Sequence, residues 1–343
     1  MRPVTDPRTT SAVLRLLIGD PDVSPLEFEW SGVRALAERN DLMLRLADRF
    51  QRRNWTLPVR FAEAVARKRD RAHEFVAVLA RVSEACERNR VMHTWLHLAQ
   101  EVPDFGRDVN LLISAGTDAD DVLLSHVSAL PARLYLRNRL AGTTLYTLPD
   151  SGAALSLHHG RLGFLGERRQ FASLVLRRRH WIPVKGVRCF VPSIEDQLLI
   201  QALRYFRPRP RIRLGHLAWV ISSLREGRIN WNSLVATARS TGLLPPLSCH
   251  MVYIDQIHRE LFGRPLLTHV MRSGLVLRRW GSVSFDAGSF RAPGSRVTAR
   301  LYADELHRDL RAGDWDAVAR LSMLPIVALS AGWRRLGGAP LMR

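Results

Sequence analysis

Asp108 and Asn110 stand two residues apart in a short apolar run, Phe105-Gly106-Arg107-Asp108-Val109-Asn110-Leu111-Leu112-Ile113-Ser114. In a β-strand the side chains at i and i+2 leave on the same face, so this carboxylate and this amide point together while Val109 and Leu111 pack behind them. Two oxygen donors at that spacing have the geometry of a divalent-metal site, and a hard cation such as Mg²⁺ held there would serve chemistry on a polyphosphate. A buried strand edged by two polar residues explains the same letters, so the pair alone leaves both readings open.

Other residues offer chemistry with a bland alternative beside it. His158 and His159 are adjacent in a candidate strand and so face opposite sides, which makes a shared ion difficult. His97 reads either as a phosphate contact or as an ordinary histidine of a helix surface or core. Arg168-Arg169, Arg177-Arg178-Arg179-His180 and Arg204 through Arg213 carry guanidinium donors matched to phosphate oxygens, or are solvated loops. Arg67-Lys68-Arg69 reads as a solvated helix face, and Trp219 and Trp231 read as core. The sequence has no Walker A, dinucleotide-binding, nucleophile-elbow or zinc-ligand spacing, which removes the common ATPase, dinucleotide, hydrolase and zinc classes.

The elements that must hold these residues follow from periodicity. Residues 11–100 read as helical throughout, with Val13, Leu14, Leu16 and Leu17 on one face, a second run from Trp30 to Leu46, and a long charged helix entered at Pro58. Between 101 and 192 the pattern turns to short strands at 109–114, 143–148, 153–159, 181–184 and 187–191, with a helix from Asp118 to Leu130 and turns at Pro149–Gly152 and Lys185-Gly186. Ser193, followed three places later by Asp196, opens the next helix as a cap. Helices at 217–224, 231–239 and 250–262 follow, with Pro245-Pro246 as a break, and 281–295 reads as loop or irregular strand. The expected class is α+β and mostly helical, a small mixed sheet lying between an N-terminal helical bundle and C-terminal helices. The expected units are 1–100, 101–192, 193–265 and an extension at 266–343.

With 343 residues and 46% hydrophobic content the chain can bury a sizeable interior. All but two of its 51 basic residues are arginine, Lys68 and Lys185 being the exceptions, and the formal net charge of +19 favours polyanionic partners such as nucleotides or nucleic acid. Cys86, Cys189 and Cys249 form no disulfide pattern, and Pro3, Asp6 and Pro7 stand where an export signal needs an apolar core, so a reducing cytoplasm is expected. The longest apolar stretch, 321–333, contains Pro325 and falls short of the roughly 20 residues a membrane span requires.

Over residues 11 to 265 the sequence resembles a family of bacterial nucleotidyltransferases within the polymerase-β-like superfamily, often found beside genes for exopolysaccharide or ribosomally made peptide biosynthesis. Ala35-Leu36-Ala37-Glu38-Arg39-Asn40 is similar to the family's helical lead-in, and Gly106-Arg107-Asp108-Val109-Asn110-Leu111-Leu112 resembles its R-D-[IV]-D-L-L strand. Leu155-Ser156-Leu157-His158-His159 resembles a later Asp-[LV]-His-Trp strand, Val191-Pro192 through Leu199 its P-x-x-x-D-x-L-L helix start, and Ile229-Asn230-Trp231 its hydrophobic-D-W segment. The resemblance implies Asp108, Asn110 and Ser156 at the catalytic positions, Mg²⁺ at Asp108 and Asn110, and His97, Arg107, His158 and Arg204 toward substrate. It implies transfer of a nucleotidyl group from an NTP to a biosynthetic acceptor.

The departures are chemical. Asn110 occupies the second carboxylate position, Ser156 the third, and Trp95 through Gln100 replace the phosphate-approaching Lys-Gly or Gly-Ser element, with His97 in the lysine's place. A charge pair at 4 Å is worth roughly 4 kcal/mol gross at an effective dielectric of 20, so each missing carboxylate forfeits about twice that against a divalent ion before desolvation is subtracted. Two alternatives therefore accompany transfer: a catalytically degenerate binding or regulatory module of the same fold and, ranked lower, an RNA-binding protein.

Overall fold

The computed structural model describes residues 7–24, 28–105, 108–116, 119–132, 135–148, 153–206, 211–278, 280–286 and 288–327. Arg107, the Pro149–Gly152 turn, Asp118 and Arg207–Pro210 from the sequence reading lie outside these residues.

Four helices open the chain: α1 (Pro7–Leu17), α2 (Trp30–Asn40), α3 (Met43–Arg52) and α4 (Val59–Arg88). The 30–46 run expected to continue as one helix is divided, because Asp41 takes a left-handed conformation at the end of α2 with its N–H on the Ala37 carbonyl. Phe28, Trp30, Phe50, Trp55 and Phe61 pack edge to face or tilted where these helices meet.

Strand β1 (His93–Leu96) follows, then the short α5 (Leu98–Glu101), β2 (Asp108–Ile113), α6 (Ala119–Val127), β3 (Leu130–Pro131), α7 (Leu136–Ala141), β4 (Thr143–Leu148) and β5 (Ala153–His159). The expectation of helix up to residue 100 is thus corrected at 93–96. Those four residues pair antiparallel with β2, Trp95 opposite Leu111, and all four are buried. Trp95 also donates its Nε1–H to Ser83 Oγ on α4 at 3.0 Å, so β1 is clamped between helix and sheet. The mixed sheet runs β1-β2-β5-β4-β3 with β2 and β5 parallel at its centre, which confirms the α+β class.

Beyond the sheet come α8 (Arg169–Arg177), the hairpin β6 (His180–Val184) and β7 (Val187–Val191), and α9 (Ile194–Ala202). Lys185 and Gly186 both have positive φ at the tip of that hairpin, as a two-residue turn requires. Ser193 caps α9 by accepting from the Asp196 N–H at 3.2 Å. A 3-10 turn (Leu203–Phe206), β8 (Arg211–Ile212), α10 (Leu214–Arg225), α11 (Trp231–Ser240), α12 (Leu244–Phe262) and α13 (His269–Ser273) continue the chain. Pro245 and Pro246 occupy the first turn of α12 rather than breaking it, because a first-turn residue has no intrahelical N–H partner to lose. The weakly patterned 281–295 segment supplies β9 (Ser284–Asp286) and β10 (Ser289–Arg291), which join β8 in a second small sheet before α14 (Gly294–Ala312) and α15 (Trp315–Ser322).

Two buried polar residues tie the parts together. Asp104 accepts the Leu44 and Arg45 N–H groups at 2.6 and 2.8 Å, capping the start of α3 from the segment that leads into β2. Asn40 donates to Leu36 O and Gly288 O and accepts from the Leu214 N–H, joining α2, the β9–β10 turn and α10.

Candidate functional site

In the parallel pair Asp108 lies beside Ala154, Asn110 beside Ser156 and Leu112 beside His158. Residues in register on neighbouring strands share a face, so positions 108, 110, 156 and 158 emerge together, as expected. Asn110, Ser156 and His158 are each half-buried. Of Asp108 only the strand position is described. His158 Nε2 lies 3.3 Å from Asn110 Oδ1, and His158 Nδ1 lies 3.2 Å from Thr143 Oγ1 on β4. An amide oxygen can only accept, so Nε2 carries the hydrogen of that contact, and the Thr143 hydroxyl partners Nδ1.

His159 leaves on the opposite face, as adjacent strand residues must. Its Nε2 meets Thr144 Oγ1 at 2.9 Å and Asp120 Oδ2 at 3.5 Å, and Tyr146 donates to the other oxygen of Asp120. Both Thr144 and Asp120 approach the same ring nitrogen, so this trio is not a hydroxyl–imidazole–carboxylate relay, in which the ring must link its partners through different nitrogens.

His97 follows Leu96, whose backbone is in register with Asn110, and adopts a left-handed φ of 67°. Its ring stands 6.2 Å from that of His216, and Arg204 Nη1 lies 2.9 Å from His216 Nδ1. The predicted substrate residues thus fall into two groups: His158 with Asn110 and Ser156, and His97 with Arg204 around buried His216. Burial, with the Arg204 guanidinium beside it, pushes the His216 imidazole well below its ordinary pKa and keeps it neutral.

A buried chain of donors and acceptors adjoins the second group. Tyr205 OH meets His250 Nδ1 at 3.0 Å, His250 Nε2 meets Gln201 Oε1 at 3.1 Å, Gln201 donates to Gln100 Oε1 at 2.7 Å, Gln100 to Gln197 Oε1 at 3.1 Å, and Gln197 to the Pro192 carbonyl at 2.8 Å. The chain fixes the His250 tautomer, and burial drives its pKa down to about 3.

Three described arginines of the basic clusters serve structure. Arg168 pairs with Glu305 and donates to the Thr241 carbonyl, Arg178 reaches buried Asp196 at 3.5 Å and Thr237, and Arg179 stacks on Phe190. Burial raises the Asp196 pKa against the pull of Arg178.

Sequence reading missed a cleft of about 650 Å³ between α2, α3 and α4, lined also by Phe105 and Ala153. Lys68, read as part of a solvated face, donates to the Phe105 carbonyl at 2.7 Å and lies 3.5 Å from Asp41, so it forms part of the cleft wall. Ala153 alternates with Ala154 and Ser156 and belongs to the other sheet face, so the cleft and the Asn110 group lie on opposite sides of the sheet. Its lining comes from distant stretches of sequence, and the nearest local signal is Arg67 and Arg71 one turn apart among Ala64, Ala72 and Phe75.

The described donors on the 110–158 face are an amide, a hydroxyl and an imidazole. Among the described residues no group of three His, Cys, Asp or Glu side chains could hold a metal ion. The oxygen that Asn110 would offer a cation accepts from His158 in this arrangement. Among the described residues no helix is long and apolar enough to cross a membrane. No protein-family model matches the chain, and neither a curated protein nor a solved structure is a match to it.

Proposed function

We propose that the protein is a nucleotide-binding module related to the polymerase-β-like nucleotidyltransferases, in which the 110–158 face contacts the polyphosphate through neutral hydrogen-bonding groups. The observation that carries this reading is the His158 link to Asn110 within the register that sets Asn110 beside Ser156. It puts polar groups on the strand positions the resemblance assigns to catalysis, with the carboxylates at 110 and 156 replaced. Neutral donors can still bind phosphate oxygens, and a hydrogen bond to a charged partner contributes about 1.5–3 kcal/mol.

Calorimetry with ATP, GTP, CTP and UTP tests it. At least one should bind, binding should persist in EDTA, and His158→Ala should weaken it about tenfold. Absence of binding by all four, or indifference to that substitution, removes the reading. The shared face of positions 108, 110 and 156 supports a second reading, Mg²⁺-dependent transfer from the NTP to an acceptor. That reading predicts turnover in the native chain, raised by Asn110→Asp with Ser156→Asp. Turnover that appears only in the double variant would mark a scaffold that has lost transfer.

A further inference from the structure

The cleft between α2, α3 and α4 has the volume of a small-molecule site, which typically spans about 300–1,000 Å³. Its apolar part is contributed by Ala64, Ala72 and Met43 and by the stacked Phe75–Phe105 pair, ring centroids 4.7 Å apart, among seven charged side chains that also line it. Most charges on its rim are neutralised within the wall: Arg34 pairs with Glu38 at 2.9 Å, and Lys68 is held by Asp41 and the Phe105 carbonyl. Arg67 and Arg71 are different. They project from consecutive turns of α4, are exposed, and make no ion pair among the described residues. Glu74 on the same rim also lacks an ion pair among those residues, so two guanidinium groups face one carboxylate. Guanidinium donors one helical turn apart suit a phosphate, whose oxygens accept from both while the apolar side chains beside them contact the body of the molecule.

We propose that this cleft binds an organic phosphate with an apolar body, its phosphate held by Arg67 and Arg71, at a site separate from the sheet face on which the nucleotide reading rests. The probe is 1-naphthyl phosphate, titrated calorimetrically into the full chain, with 1-naphthol as body alone, inorganic phosphate as head alone and poly(U) as a polyanion. The expected result is saturable binding of 1-naphthyl phosphate, at least tenfold tighter than either half. Affinity should fall at least tenfold in Arg67→Ala/Arg71→Ala and recover in part in Arg67→Lys/Arg71→Lys, with the thermal midpoint unchanged because both positions are exposed. Equal affinity in the alanine double variant, or equal affinity for 1-naphthol, would overturn the proposal. So would poly(U) binding that depends on both arginines without binding of 1-naphthyl phosphate, because it would make this face an RNA surface. ATP competition that vanishes in the alanine double variant and ignores His158→Ala would support the cleft while removing the nucleotide from the sheet face, so the two readings fail separately.

Discussion

At the scale of single residues, the histidines divide according to what surrounds them. His158 sits half-buried between Asn110 and Thr143, whereas His250 and His216 are buried against polar partners and a nearby guanidinium that disfavours a second positive charge. A histidine whose folded pKa lies below its unfolded value of 6.5 contributes stability that is present above pH 6.5 and lost as pH falls toward the folded value, about 3 for His250. Urea unfolding of the native chain should therefore show stability declining between pH 6.5 and 4, with a shallower decline in His250→Gln. Equal slopes would mean that His250 is protonated without penalty. The two-residue spacing of Asp108 and Asn110 announced their common face, because strand alternation is local. The partners of His158 and His250 come from 15 to 49 residues away and leave no mark in local spacing.

At the scale of elements, the parallel β2–β5 pair depends on Gly160 just beyond β5. Its N–H donates to the Ile113 carbonyl at 2.8 Å, its φ is +60°, and a Cβ there would stand 2.7 Å from Ala115 Cβ and 2.9 Å from Ala115 N. Gly160→Ala should therefore cost roughly 1–3 kcal/mol, through both the left-handed backbone and the clash with neighbouring main chain. A thermal midpoint equal to the native one would show that the Ala115 segment can move aside. Strands β2, β4 and β5 and the β6–β7 hairpin were legible because alternation and turn residues delimit them. β1 was not, since four residues next to a long helical pattern carry too little periodicity, and its strand state comes from pairing with β2. The three-residue strands β9 and β10 were obscured in the same way and owe their state to pairing with each other and, for β10, with β8.

At the scale of the whole molecule, the late helix α14 is fastened to the middle of the chain by a buried charge cluster. Glu305 faces Arg168 from the loop before α8, with Glu167 nearby and Arg308 and Asp309 on its own helix. Burial raises the Glu305 carboxyl to about 7 despite the pull of Arg168. A carboxyl whose folded pKa is raised contributes stability that is complete below its unfolded value of 4.5 and lost as pH climbs through about 7, opposite in sign to the histidines. Glu305→Gln should flatten the decline between pH 5 and 8, measured by urea unfolding, and an unaltered slope would remove Glu305 as its source. Neither this cluster nor the α2–α4 cleft was visible in the sequence. Each gathers residues separated by 30 to more than 130 positions, and only the folded chain brings them together.

The reach of Asp104 across to α3 limits how this architecture can be recombined. A crossover placed anywhere between Arg45 and Asp104 would inherit the helix start from one parent and its cap from the other, exposing the Leu44 and Arg45 amides unless both parents carry an acid at that point. Chimaeras of related chains should accordingly tolerate joins after residue 104 and reject those just upstream, so that the helical lead-in and the approach to the central strand are exchanged as one cassette.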